Sequence, residues 1–213
     1  MRKNIFYRIH CWEQDLHDKY KNLPDTAEGA RKAAFYMRWL DHEILRVLWT
    51  NFYQVAPGVW RGNHPTQKRW NRLKKIGIHN ILNLRKADKK PPYLGEVRLC
   101  EELGVNLITV LMNARAAPKK ERLLDLIETF KTVERPFFMH CKSGVDRTGL
   151  AAAIYLLVIE GASLETARKM LSPKYLHLKQ TQTGVLDAVL DEYGKTGGDF
   201  EAWVRNEYDH KAI

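Results

Sequence analysis

The chain has 213 residues, 45% hydrophobic and 28% charged, a balance that excludes a disordered polypeptide and a fibre. A length of this order predicts one domain, with room for a terminal appendage and enough core to fold without metal or disulfide staples. Thirty-five Lys and Arg against 25 Asp and Glu leave a charge of +10, which suits a phosphorylated substrate, anionic lipid or nucleic acid without choosing among them.

Cys11, Cys100 and Cys141 are too widely spaced for a disulfide framework or a Cys-x-x-Cys metal clip. That points to a reducing compartment, and a cytoplasmic protein is the expectation. Arg8, His10 and Glu13 break up any signal-peptide core at the N-terminus. The longest apolar run, Gly149 to Ile159, falls short of the ~20 residues of a membrane-spanning helix.

In chain order, Asp25 to Trp49 reads as one long helix capped by Asp25 or Thr26. Its apolar residues (Phe35, Met37, Trp39, Leu40, Ile44, Leu45, Val47 and Leu48) cover much of the circumference. A wide face of that kind predicts a helix packed on the domain, the alternative being one laid on a partner or membrane surface. Val55 to Trp60 reads as a hairpin around Pro57-Gly58, Pro65 to Ile76 as a helix, and His79 to Leu84 as a buried strand. A basic loop, Arg85 to Pro92, precedes a helix over Tyr93 to Leu103 that stops at Gly104. Asn106 to Leu111 is the next strand, Met112 to Ala117 a loop, Pro118 to Val133 an amphipathic helix, and Pro136 to His140 a strand.

Four helices follow, over Arg147–Glu160, Ser163–Leu171, Gly184–Tyr193 and Asp199–Glu207, with Gly194 to Gly198 as a hinge before the last. Strand and helix alternation predicts an α/β fold with a central, mostly parallel sheet flanked by helices. The expected division is an N-terminal helical extension over 1–50, a catalytic domain over 51–195 and a C-terminal helix over 196–213.

The informative stretch runs from His140 to Gly149. It leaves an apolar strand and enters an apolar helix, so backbone N–H groups and the helix dipole form an anion site. Gly144 lets the loop curl, and Arg147 offers a planar fork for two phosphate oxygens. Cys141 sits in the same positive field, which favours its thiolate, a nucleophile facing bound phosphate. Thr148 places a hydroxyl near the sulfur.

His140, Cys141, Gly144, Arg147, Thr148 and Gly149 fill all six specified positions of H-C-x-x-G-x-x-R-S/T-G. The stretch therefore resembles the signature of cysteine-based protein tyrosine and dual-specificity phosphatases. The segments Val55 to Thr66 and Ile78 to Arg85 are similar to the opening of small bacterial domains of this type, and the likeness spans residues 51–193. It implies a tyrosine phosphatase-like fold with Cys141 as nucleophile, Arg147 as phosphate clamp, and Lys142, Ser143, Gly144 and Val145 as the cradle. It implies no metal and no cofactor.

Relatives of this kind take a leaving-group proton from an aspartate on the loop that here reads Met112 to Pro118. No Asp or Glu occurs from Leu103 to Lys120. Asp146 is the expected substitute, because its pairing with Arg147 resembles the Asp-Arg loops of myotubularin and Sac-type lipid phosphatases and of mycobacterial and Listeria secreted phosphatases. The alternative for Asp146 is a helix cap. Asp88 and Glu121 are fallback donors, and Arg115 is a candidate phosphate contact.

Lys86, Lys89, Lys90, Lys119, Lys120 and Lys142 suggest a basic rim. His177 and Lys179 reach the pocket mouth, the alternative for His177 being a surface or capping histidine; Cys100 belongs to the core, and Cys11 is an alternative disulfide partner for Cys141. The expected activity is hydrolysis of phosphotyrosine, with phosphoserine and phosphothreonine as further substrates, through a phosphocysteine. Phosphoinositides or inositol phosphates are the alternative substrates, and a silent phosphate-binding module is a third reading. Phosphate, sulfate or vanadate should occupy the loop. Nucleic acid is not an expected partner, and association with a membrane surface is left open.

Overall fold

The computed structural model describes residues 5–213. Five strands form one sheet: β1 (Tyr53–Ala56), β2 (Val59–Asn63), β3 (Asn80–Asn83), β4 (Asn106–Thr109) and β5 (Phe137–Cys141). Their order is β1-β2-β5-β3-β4, with only the β1–β2 hairpin antiparallel. Gly58 takes the left-handed conformation (φ 74°) that this hairpin turn requires. The strand that ends at Cys141 is therefore central, flanked by β2 and β3, and the expected α/β architecture is the one observed.

Side chains of successive strand residues point to opposite faces. On β5, Phe137, Met139 and Cys141 join the larger core, built with α6 (Lys120–Thr132), α7 (Asp146–Val158), α9 (Val185–Thr196) and α10 (Phe200–Asn206). Phe138 faces the other way, into a smaller cluster with Trp70 and Leu73 of α4 (Gln67–Lys75) and Cys100 of α5 (Pro91–Leu103). The β5 alternation thus sends the cysteine toward α7 and its histidine neighbour toward α5. Cys100 is core, as expected, and burial raises its thiol pKa to about 12. All three cysteines are free.

Several boundaries differ from those read in the sequence. The hinge expected at Gly194 falls inside α9, which runs on to Thr196 and stops at Gly197 (φ 71°). After it, α10 buries Phe200, Trp203 and Val204 in the main core. The larger correction is at the N-terminus, where α1 (Ile5–Asp18) precedes the segment read as one helix. That segment is itself two helices, α2 (Ala27–Phe35) and α3 (Glu43–Leu48), joined by a π-helical turn over Tyr36–Leu40.

The break has a polar cause. His42 sits at φ 60°, and Asp41 turns inward, 3% exposed, to meet Arg46 at 2.5 Å and the Arg85 fork at 2.6 and 3.0 Å. A buried carboxylate with two guanidinium partners is stable only in that local geometry. The expected packing through a wide apolar face does not occur: Phe35, Trp39, Ile44, Leu45, Val47 and Leu48 are all exposed. Among the described residues, no helix is long and apolar enough to cross a membrane.

Candidate active site

Residues Lys142 to Val145 link β5 to the N-terminus of α7 and curl into a bowl. Gly144 adopts φ +71°, and a Cβ there would lie 2.4 Å from the carbonyl carbon of Gly62 on β2. Only glycine lets the loop approach its neighbour strand so closely. Two buried side chains on other elements hold this shape. Arg61 of β2, 0% exposed, donates from Nη2 to the carbonyls of Gly144 (2.8 Å) and Val145 (3.2 Å). Asn51 donates to the Gly144 carbonyl at 2.9 Å and to that of Tyr175 at 3.0 Å.

With the carbonyls tied back in this way, the loop's N–H groups are free to face an anion. Neither Arg61 nor Asn51 was singled out by the motif. A charged residue inside a buried strand pattern was the available signal for Arg61.

Cys141 is 1% exposed. Burial alone would raise its pKa, but the Arg147 charge, the Thr148 hydroxyl and the backbone N–H groups of Thr148 and Gly144 prevail, and the thiol falls from 9.0 to about 7. Thr148 itself is fully buried, and its hydroxyl has no other partner among the described residues. A thiol brought down to about 7 is partly ionised near neutral pH, and the thiolate is the nucleophilic form of sulfur.

Beside the loop lies a cavity of about 200 Å³, lined by Arg147 and Lys142 together with Arg85, Lys86, Asp88 and Lys90, and walled by Tyr36, Tyr93 and Pro92. Three of its cations are partly committed: Arg85 to Asp41, Lys142 to Asp41 at 3.9 Å, and Lys90 to Asp18 at 3.3 Å. His64, Asn83 and Glu96 complete the lining. Glu96 accepts from or shares a proton with His140 Nε2 at 2.6 Å, which fixes the signature histidine from the α5 side. His64 Nδ1 lies 4.0 Å from the other Glu96 oxygen, and among the described residues neither of these buried atoms has a hydrogen-bond partner. Of the described residues, His64, Glu96 and His140 are the group whose ligand atoms cluster tightly enough, within 4.8 Å, to hold a metal ion.

Other expected site residues fall elsewhere. Asp146 is not part of the cavity lining. Its carboxylate contacts His177 Nδ1 at 2.8 Å, while His177 Nε2 contacts Asp187 at 2.6 Å. The cap reading also fails in detail, since Val145 is the cap residue and makes no side-chain capping bond.

His177 is neither at a pocket mouth nor on the surface; its side chain is 1% exposed, and the two carboxylates raise its pKa to about 9 against the effect of burial. Asp146 is correspondingly held below the ordinary carboxylate value, against its own burial, by hydrogen bonds from His177 and Thr183. Lys179 pairs on the surface with Asp191, and Arg115 is exposed, away from the cavity lining. Of the expected basic rim, Lys86, Lys90 and Lys142 line the cavity, and Lys89, Lys119 and Lys120 do not.

The family model described as a DSP-PTPase phosphatase fused to NAD+ kinase matches residues 53–185. The dual specificity protein phosphatase TpbA of Pseudomonas aeruginosa is 27% identical over 119 residues, 55% of this chain and 51% of TpbA. The chain thus matches about half the length of this curated relative. The crystal structure of P. aeruginosa TpbA superposes with a TM-score of 0.57 at 19% identity, over 74% of this chain and 92% of that one. The core catalytic domain of the PP-IP phosphatase Siw14 from S. cerevisiae gives 0.51 at 20% identity, over 68% and 91%. Likeness at those identities establishes a shared fold.

Proposed function

The chain belongs to the DSP-PTPase family of cysteine-based phosphatases, and on that premise we propose that it hydrolyses phosphomonoesters through a phosphocysteine at Cys141. The observation that carries this reading is the buried Cys141 thiol beside Arg147 at the N-terminus of α7, brought down to about 7 by that charge and by hydrogen bonds from Thr148 and Gly144. The Cys141 thiolate attacks phosphorus, a P–S bond forms and the P–O bond to the leaving group breaks. Water then cleaves the P–S bond, returning thiolate and releasing inorganic phosphate. Charge on the transferring phosphoryl oxygens is met by the loop N–H groups and Arg147. Thr148, beside the sulfur, stabilises the thiolate as it departs from phosphorus.

For the proton donor to the leaving oxygen, the arrangement favours Asp88 over Asp146. Asp88 shares the cavity with Arg147 and Lys142, whereas the Asp146 carboxylate is engaged by His177 and held ionised. A general acid needs the opposite tuning.

TpbA is a dual specificity protein phosphatase, which supports phosphotyrosine and phosphothreonine as substrates here. A second reading, inositol phosphates or their lipids, is favoured by the five cations of the cavity, more than one phosphate requires. A turnover panel of phosphotyrosine peptide, phosphothreonine peptide, inositol phosphates and phosphoinositides decides between them. Cys141→Ser should abolish turnover on all of these while retaining vanadate or phosphate binding; residual turnover in that variant would sink the nucleophile assignment.

A further inference from the structure

Helix α3 is packed inside out. Its one buried side chain is Arg46, tied to Asp41, whereas Ile44, Leu45, Val47 and Leu48 face solvent, Leu48 at 87% exposure. A helix on a water-soluble surface shows the reverse pattern. The same segment exposes Phe35, Trp39 and Trp49, and Trp12 of α1 is exposed as well. Trp39, Ile44 and Val47 line one surface recess together with Arg38, Lys68, Glu43 and Gln67. Large apolar side chains gathered in this way mark a docking surface rather than ordinary surface scatter.

We propose that this face docks on an anionic lipid surface. Indole rings and aliphatic side chains flanked by Arg and Lys match the headgroup–acyl boundary, where tryptophan and basic side chains concentrate. Charge selects the occupant. A second copy of a chain carrying +10 is repelled by the first, whereas an anionic leaflet attracts it, by about 1 kcal/mol for each basic residue near the surface.

Position adds a second argument. His42, at the entry to α3, lies 3.4 Å from Lys142 of the catalytic loop, and Tyr36 of the π-helical turn lines the cavity. Docking through α3 therefore sets the cavity beside the interface, within reach of phosphorylated headgroups. The docking is independent of the phosphatase reading; only this last consequence rests on it.

The test is co-sedimentation of the full chain with phosphatidylcholine vesicles, with and without phosphatidylglycerol. Binding is expected only with the anionic lipid, and should weaken as salt is raised. Replacing Val47→Ser and Leu48→Ser together should reduce it by about tenfold or more, the equivalent of losing one to two buried aliphatic side chains. Both side chains are exposed and outside the cavity, so turnover of a soluble aryl phosphate should be unchanged, which also reports that the variant folds. Absence of binding to anionic vesicles would overturn the proposal, as would binding untouched by the double substitution. A lipid-free dimer that the double substitution dissociates would assign the face to a second copy instead. The same binding measured in Cys141→Ser separates failure of docking from failure of catalysis.

Discussion

Removing the charge on His177 tests how the loop between β5 and α7 is anchored. Its imidazole lies between the carboxylates of Asp146 and Asp187 at 2.8 and 2.6 Å, and its pKa is raised from 6.5 to about 9. At 1.36 kcal/mol per pH unit, that difference corresponds to about 3 kcal/mol of preference for the charged ring in the folded state. The carboxylates are partly exposed (20% and 12%), so solvent screening brings the expected contribution to roughly 2 kcal/mol.

The folded pKa is the higher one, so this stability is fully present below pH 6.5 and is lost as pH rises toward about 9. At roughly 2–4 °C per kcal/mol for a chain of this length, wild-type protein should lose about 4–8 °C of Tm between pH 6 and pH 9 through this group. His177→Gln removes the charge and should remove that increment, and the difference between the two slopes cancels every other titration. Calorimetry at several pH values reads it directly. Equal slopes for wild type and variant would refute the ion-triad account and reopen Asp146 for catalysis.

Four further outcomes are expected. Asp88→Asn should lose roughly 10²–10³ in rate on a phosphotyrosine substrate and far less on an activated phenol, whereas Asp146→Asn should lose equally on both; steady-state kinetics with paired leaving groups decides. Alkylation of Cys141 should titrate with a midpoint near pH 7, its rate falling as pH drops below that value because the thiolate is lost; a midpoint near 9 would contradict the role given to Arg147. Gly144→Ala, which forces a Cβ against the Gly62 backbone at φ +71°, should abolish phosphate binding as well as turnover, read by calorimetric titration. Asp41→Asn strips the buried Arg46 and the partly buried Arg85 of their carboxylate and should destabilise by about 3 kcal/mol or more, measured by denaturant titration.

The sequence by itself determined the strand–loop–helix of the candidate site, because that information is local. An apolar strand, a cysteine, a glycine and an arginine at fixed spacing, and an apolar helix all lie within twenty or so consecutive residues, and the periodicities of strand and helix are properties of neighbours. It also determined the absence of an acid on the loop before α6. What it did not determine depended on residues far apart in the chain. The hydrogen bond from Arg61 to Gly144 spans 83 positions, that between His140 and Glu96 spans 44, and that from His177 to Asp146 spans 31.

Asp146 read as an acid because its neighbours in sequence belong to the phosphatase signature. Only the packing of the loop after Ser172 brings His177 against it and turns it into an anchor. The long apolar helix expected over Asp25 to Trp49 failed for a related reason: its pattern permits burial, but one aspartate satisfied by Arg46 and Arg85 decided where the chain turned and which face was left outside. Period and propensity are summed over neighbours, whereas the partner of a buried charge is chosen by the tertiary structure.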